Sequence, residues 1–186
     1  MYGLSTAGKI YTLNTSNGAA VAIGTNSISP ALSGASFGFD FNPTVDRIRV
    51  VSNLGENLRL HPETGIVVAV DLNLSPAGVS VTHAAYTNNF AGATTTILYD
   101  IETISGKLFK QKPPNNGILV EVGLLGINVT NKGGFDIGGS SGKAYAILTT
   151  TAGETNIYSI ELATGKATAV APFPKVVTGF AMGLGF

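Results

Sequence analysis

Two aspartates are the clearest candidates for chemistry in this sequence. Asp40 stands in GFDF and Asp136 in GFDI, two motifs that share the order Gly-Phe-Asp and then an apolar residue. Carboxylate and amide oxygens are the ligands that a hard cation such as Ca²⁺ prefers. If the two motifs lie on equivalent strands around a central channel, Asp40, Asp136 and Asn42 could bind Ca²⁺ there. The alternative, which the sequence favours, is that each carboxylate caps backbone amides where its strand meets a turn.

The densest group of charges contains three arginines. Arg47, Arg49 and Arg59 fall on two short apolar segments that we expect to be neighbouring strands. Like charges side by side are unfavourable unless carboxylates separate them. The acidic residues available in this part of the sequence are Asp46, Glu56 and Glu63. The structural interpretation is an ion-pair network, and the functional one is a binding patch for a carboxylate or a sulfated glycan.

The other titratable residues lack catalytic motifs. His61 precedes a proline in a predicted turn, and His83 lies in a predicted inner strand; neither G-x-S-x-G nor H-E-x-x-H occurs. Asp100 and Glu102 alternate onto one strand face, a pattern frequent on solvated faces, so a glycosidase pair is not supported. The stretch GGSSGK fails the phosphate-loop spacing. We therefore expect no catalytic residue and no cofactor apart from the Ca²⁺ considered above.

Composition excludes further classes of protein. The 186 residues include no cysteine, which removes disulfides and cysteine-ligated zinc. Eleven basic residues balance eleven acidic ones, without the basic stripe that nucleic-acid binding requires. No apolar run approaches the ~20 residues of a membrane-spanning helix. We expect neither a nucleic-acid partner nor membrane insertion.

A repeat of short strands organises the chain. Four segments share one plan, in which an alternating strand, a polar turn ending in glycine and a second apolar strand follow one another. The turn glycines, spaced 47 to 52 residues apart, are Gly18, Gly65, Gly117 and Gly165. Seven or eight residues before them stand Tyr11, Leu58, Phe109 and Tyr158. A further strand pair can be drawn upstream of the last three segments, so units of four strands recur.

Four-stranded units with a period of about 45 residues are typical of β-propeller blades. Three complete units span approximately 37–72, 81–126 and 131–172. The fourth is split, with three strands from 1–25 and one from 176–186, and pairing between them closes the ring and removes exposed edges. The sequence thus predicts a single all-β domain, a small β-propeller of four four-stranded blades closed by a blade shared between the termini. A β-sandwich is the alternative, but it gives no reason for the repeat.

Three long stretches also resemble a known family. FGFDFNPTVDRIRVVSNLGENLRLHPETG, AAYTNNFAGATTTILYDIE and PPNNGILVEVGLLG are similar to the bacterial domain-of-unknown-function family 4394 (DUF4394). The resemblance covers nearly the whole chain. It implies an extracellular or cell-surface location and brings no catalytic or binding residues with it. The first residues, MYGLSTAGKIYT, show no signal peptide, so the expected location depends on the resemblance.

Together these features favour a non-catalytic scaffold or binding module for a protein or a glycan. Two asparagine-rich loops, 87–92 and 113–117, are expected to be exposed and could contact such a partner. The low charge and many small residues also permit self-association. The alternative from another class is a hydrolase or lyase that acts on a glycan at the mouth of the propeller channel.

Overall fold

The computed structural model describes residues 1–183, and its regular structure is almost entirely antiparallel β-strand. A single 3-10 turn, Pro114–Asn116, accompanies the strands in this part of the chain. The strands are β1 Tyr2–Leu4, β2 Ile10–Leu13, β3 Ala20–Ala22, β4 Phe37–Asn42, β5 Arg47–Ser52, β6 Asn57–Leu60, β7 Val67–Val70, β8 Val81–Tyr86, β9 Leu98–Glu102, β10 Lys107–Gln111, β11 Leu119–Leu124, β12 Val129–Ile137, β13 Ala144–Thr150, β14 Thr155–Ile160 and β15 Ala167–Pro172.

Consecutive strands pair with one another to form four sheets. The sheets are β1–β3, β4–β7, β8–β11 and β12–β15, and they form the first to fourth blades of a four-bladed β-propeller. The predicted all-β propeller is therefore confirmed. Across residues 1–183, no helix has the length and apolarity that crossing a membrane requires.

Residues at equivalent positions of the sequence repeat occupy equivalent positions in the four blades. All four turn glycines have a left-handed backbone, with φ of 76° at Gly18, 71° at Gly65, 66° at Gly117 and 83° at Gly165. Such φ values are costly for residues with a Cβ, which explains the glycine at this place in each unit. The residues that stand seven or eight positions before these glycines also share one place in the strand register. Each of them pairs with a residue near the middle of the preceding strand. These pairs are Gly3 with Tyr11, Val50 with Leu58, Asp100 with Phe109, and Ala146 with Tyr158.

The split blade differs from the expectation, because no backbone hydrogen bond joins the described residues 176–183 to β1–β3. No strand is assigned in 176–183, and the last three residues of the predicted strand 176–186 lie outside the described residues. The segment nevertheless lies against β12, because the Met182 amide donates to Asp136 at 2.6 Å and the Gly134 backbone closely approaches Gly179 and Phe180. A strand needs regular backbone pairing with a neighbour, so the segment stays irregular without it, although β4 and β12 carry glycine at the matching places, Gly38 and Gly134.

The hydrophobic core lies between the blades. One cluster joins the first two blades and includes Ile10, Ile48 and Leu58, and there the rings of Tyr2 and Phe41 meet edge to face with centroids 4.7 Å apart. A second cluster joins β5 to the third blade, and a third joins the last two blades. Each blade therefore buries apolar side chains against a neighbouring blade, and the stable unit is the set of blades together.

Candidate binding site between the second and third blades

A polar network crosses the joint between the second and third blades. At its centre is Arg49 on β5, whose side chain is only 1% exposed. Its guanidinium donates to Asn57 Oδ1 at 2.8 Å and Asp71 Oδ2 at 2.6 Å in its own blade. In the next blade it donates to the Tyr86 hydroxyl at 3.2 Å and Asn115 Oδ1 at 2.7 Å. All three guanidinium nitrogens are thus paired, and Arg49 links the two blades.

Asp71 is shared between two arginines. Arg59, directly opposite Arg49 in the strand register, donates from Nε to Asp71 Oδ2 at 2.8 Å and from Nη2 to Oδ1 at 2.9 Å. Burial opposes the ionisation of Asp71, but the hydrogen bonds from Arg59 and Arg49 outweigh it and lower its pKa. Two guanidiniums therefore face one carboxylate, which leaves one net positive charge in the joint.

The sequence left open which arginine of β5 lies beside Arg59; the structure shows that it is Arg49, and it corrects the expected counter-ion. The acid between them is Asp71, which follows β7 in the chain, and not one of the three acids near them in sequence. Arg47 takes no part in the network, since its Nη1 donates to the Asp46 carbonyl at 2.7 Å. The predicted three-arginine patch is therefore an arginine pair around one aspartate.

The loop PPNNG closes the network from the third blade. The Pro114 carbonyl accepts from Asn57 Nδ2 at 2.9 Å and from Gln111 Nε2 at 2.6 Å. Gly117, at the end of the loop, lies so close to the backbone of the second blade that a Cβ would contact the Leu72 carbonyl at 2.6 Å. The loop is exposed, as predicted at Asn115 and Asn116, but its backbone is fixed on the neighbouring blade.

A notch of about 310 Å³ opens beside Arg59, whose side chain is 30% exposed. The residues that form the notch are Asn42, Val45, Arg59, Pro113, Pro114, Asn115 and Asn116. Asn42 Oδ1 already accepts from the Thr44 amide at 2.9 Å and from its hydroxyl at 2.7 Å. Asn115 Oδ1 likewise accepts from Arg49, and the amide NH₂ group of Asn115 remains as a donor toward a ligand. The notch is therefore rich in hydrogen-bond donors.

One family model matches almost the whole length of this chain. The family model described as Domain of unknown function (DUF4394) matches residues 1–181. The chain belongs to the DUF4394 family. Comparison with proteins of curated function gives no match. Roles for residues of this DUF4394 domain must therefore come from its own geometry.

Asp40 and Asp136 each tie neighbouring segments of the DUF4394 ring together. Asp40 accepts from the Phe41 amide at 2.7 Å and from the Tyr86 amide of the next blade at 2.6 Å. Asp136 accepts in the same way from Ile137 at 2.7 Å and from Met182 at 2.6 Å. These contacts are the backbone capping that the sequence favoured.

The two carboxyls also influence each other. Burial raises the pKa of Asp40 to about 8, with a further contribution from the charge of Asp136, and burial likewise raises the pKa of Asp136. That interaction agrees with their predicted placement on facing inner strands. Asn42 is occupied by Thr44, and nowhere in 1–183 do three His, Cys, Asp or Glu side chains gather as metal ligands would. Calcium binding by Asp40, Asp136 and Asn42 stays a prediction.

The prediction of a solvated face for Asp100 and Glu102 is wrong, because both are buried. Burial opposes the ionisation of Glu102, but hydrogen bonds from the Ser105 hydroxyl and from the backbone amides of Ser105 at 2.7 Å, Ile104 at 2.9 Å and Ser80 at 2.9 Å hold its pKa below its usual value. Asp100 is different. Within the described chain neither of its oxygens has a hydrogen-bond partner, and burial raises its pKa to about 8 although the charge of Arg49 opposes the shift.

Of the two histidines, one is buried in a strand and the other lies in a turn. His83 is buried on β8, and burial lowers its pKa to about 4, so it is neutral at physiological pH. Its Nε2 has no hydrogen-bond partner among residues 1–183, so no hydrogen-bonded nucleophile–base pair is present there. His61 lies in the turn after β6, where Nδ1 accepts from the Glu63 amide at 3.3 Å.

Asp71, Asn57 and Tyr86 were not predicted from the sequence, and Asn115 only as part of an exposed loop, although the repeat holds a signal for the network. In the observed registers Arg49 occupies the place that the other three blades give to tyrosine, namely Tyr2, Tyr99 and Tyr145. Asp71 stands six residues after its turn glycine, where Gly123 and Ala171 stand in the third and fourth blades. Arg49 and Asp71 are thus charged residues at positions that are uncharged in the other units named. Two such exceptions in the same unit indicate an ion pair that is specific to that unit.

Proposed function

We propose that this DUF4394 domain is a non-catalytic binding module, outside the cell or on its surface, and that its ligand is a glycan bound in the notch. The observation that carries the proposal is Arg59, which is fixed by two hydrogen bonds to Asp71 and still partly exposed in the notch. A donor group already held in place loses little conformational freedom when a ligand binds. The location is proposed from membership of the family.

The composition of the notch supports binding rather than catalysis. Its seven residues include no carboxyl group and no histidine. The nearest acid in the network, Asp71, is 7% exposed and is kept ionised by two guanidiniums, so it is unsuited to proton transfer. The notch can hold and orient a molecule, but it offers no general acid or base.

The alternative is a glycan hydrolase or lyase at the channel mouth, with Asp40 and Asp136 as its acids. The raised pKa of Asp40 would suit a general acid at neutral pH. However, both of its oxygens already accept backbone amides, and the same is true of Asp136. Catalysis would require these carboxyls to release the contacts that join neighbouring segments of the ring, which favours the binding module.

An array of neutral, uronic-acid-containing and sulfated oligosaccharides tests the proposal. We expect the wild-type domain to bind at least one class and the Asn116→Trp variant, in which the indole fills the notch, to bind it at least 10-fold more weakly. Asn116 is exposed and makes no side-chain hydrogen bond to the described residues, so the substitution leaves the network intact. Asn26→Trp, at another exposed loop position, is the matched control. No binding by the wild type, equal binding by Asn116→Trp, or cleavage of the bound oligosaccharide would overturn the proposal.

Self-association is a second candidate, and the outermost strands support it. Each blade ends in a strand that has no further strand beyond it within residues 1–183, and each of these strands exposes a valine. The residues are Val21, Val68, Val120 and Val170. Exposed apolar edge strands are sites where another chain can add. Sedimentation velocity over a hundredfold range of concentration should then reveal a dimer that Val68→Lys weakens, whereas a concentration-independent monomer excludes this candidate.

A further inference from the structure

We infer that the notch between the second and third blades recognises a carboxylate, carried by a uronic-acid residue of the glycan. The inference rests on the proposed function and adds the chemical group that the site selects. It follows from the free donors of Arg59, the charge of the network around it and the character of the notch walls.

Arg59 has hydrogen-bond donors left over after its contact with Asp71. A guanidinium carries five N–H groups in one plane, and Asp71 takes one on Nε and one on Nη2. The remaining donors, on Nη1 and Nη2, have no acceptor among the residues that the structure describes. Two of them form a second planar fork, and a carboxylate is the anion that pairs with such a fork through two parallel hydrogen bonds.

The charge of the joint favours a single negative charge on the ligand. Arg49 and Arg59 together carry two positive charges, and the ionised Asp71 cancels one. Asp100, the other acid close to Arg49, is mainly protonated at neutral pH because burial raises its pKa to about 8. A monoanion therefore neutralises the joint, whereas a phosphate dianion would leave excess negative charge in a partly desolvated site.

The walls of the notch distinguish a carboxylate from a sulfate ester and suit a sugar ring. Val45, Pro113 and Pro114 are apolar, so the third oxygen of a sulfate would lose water without gaining a donor there. The same apolar groups can cover the C–H face of a pyranose, while the amides of Asn115 and Asn116 can meet its hydroxyls. The volume of about 310 Å³ accommodates one sugar residue.

Calorimetric titration with four trisaccharides tests the inference on the whole domain. The probes are trigalacturonic acid, its methyl ester and neutral galactotriose, with a sulfated galactotriose as a fourth arm. We expect the acid to bind at least 10-fold more tightly than the ester, the neutral sugar and the sulfated sugar. Tighter or equal binding of the ester or the sulfated sugar would overturn the carboxylate assignment, and this comparison needs no variant.

A pair of substitutions isolates the role of Arg59. Arg59→Gln removes the fork and should weaken binding of trigalacturonic acid by about 10- to 100-fold. The matched control is Lys107→Gln, because Lys107 has a similar exposure of 29% and a single carboxylate partner in Glu121; it should change the affinity less than twofold. Arg59→Lys, which keeps the charge without the fork, should recover only part of the loss. Full affinity in Arg59→Gln, or an equal loss in Lys107→Gln, would contradict the inference.

The outcomes also separate this inference from the proposed function. A neutral oligosaccharide whose binding is lost in Asn116→Trp but unchanged in Arg59→Gln would leave the binding module standing and overturn the carboxylate. Failure of every oligosaccharide to bind would overturn both.

Discussion

Arg49 is the residue on which the joint between the second and third blades depends most. Removing one member of a buried, hydrogen-bonded charge network costs about 3–5 kcal/mol, because the partners left behind lose contacts that water cannot replace. Arg49→Met should therefore lower the free energy of unfolding, measured with urea, by about that amount. It takes a hydrogen-bond partner from Asn57, Tyr86 and Asn115 and leaves Asp71 with Arg59 alone.

Arg59→Gln provides the comparison for Arg49→Met. Arg59 is partly exposed and Asp71 keeps Arg49 when it is replaced, so we expect a loss of about 1 kcal/mol or less. Equal effects of the two substitutions would mean that burial of Arg49 does not determine the stability of the joint.

Asp100 should make the stability fall as pH rises. Its pKa is about 8 in the folded protein against 3.8 ordinarily, so between these values the folded state keeps a proton that the unfolded state has released. Stability from this group is complete below pH 4 and is lost as pH approaches 8. Asp40 acts in the same direction, whereas His83, with its pKa lowered to about 4, acts in the opposite direction between pH 4 and 6.5.

The clearest window for this effect is therefore pH 6.5 to 8. We expect the free energy of unfolding to decrease there by up to about 1.4 kcal/mol per pH unit for each carboxyl that titrates. Asp100→Asn, which keeps the shape and removes the titration, should make the decrease shallower. An unchanged slope in Asp100→Asn would show that Asp100 is already ionised at neutral pH in the folded protein.

For individual residues, the sequence predicted which strands are adjacent better than it predicted which side chains form hydrogen bonds. It placed the segments of Arg49 and Arg59 on neighbouring strands correctly, because strand pairing within one hairpin follows from the turn, but it did not choose between Arg47 and Arg49 as the neighbour of Arg59. It did not predict Asp71 or Asn115 as partners, because those contacts depend on the strand register and on how one blade packs against the next. Asp100 was assigned to a solvated face because alternation alone cannot tell an inter-blade face from an exposed one.

At the scale of elements, the contact between β12 and the C-terminal segment is a matter of steric fit. A Cβ on Gly134 would collide with the backbone of Gly179 and Phe180, so Gly134→Ala should displace the segment and cost about 1–3 kcal/mol. Gly179→Ala is the matched control, since a Cβ there meets nothing within 4 Å. Faster hydrogen exchange of the Met182 amide, measured by NMR, should accompany the first substitution only. Equal stability and exchange in both variants would contradict this account of the contact.

The elements themselves were predictable to different degrees. The runs RIRVVS at 47–52 and AYAILTT at 144–150 coincide with β5 and β13, because β-branched runs bounded by turns mark the ends of strands. The run that begins with VTHAAY has no such sharp boundary in the sequence, and β8 ends at Tyr86, where the asparagine-rich loop begins. The C-terminal segment was expected to be a strand from its likeness to β4 and β12, but a shared motif does not supply the regular hydrogen bonds that a strand needs.

At the scale of the whole molecule, the ring should depend on its C-terminal residues. Deletion of 176–186 removes the Met182 amide from Asp136 and uncovers the backbone around Gly134. We expect the shortened chain to unfold or aggregate, seen as loss of the monomer peak in size-exclusion chromatography and increased binding of a hydrophobic dye. A monomeric shortened chain with wild-type urea stability would refute closure of the ring by this segment.

The arginine network joins the second blade to the third, and this affects how four similar blades pack in the correct order during folding. Blades with interchangeable faces could meet in the wrong order during folding or exchange with a blade of another molecule. Arg49 finds Asn57 and Asp71 within its own blade, but Tyr86 and Asn115 only in the one that follows it. A wrong neighbour would leave this guanidinium buried with half of its partners missing, at a cost of several kcal/mol. We expect the network to favour the correct order of the blades during folding.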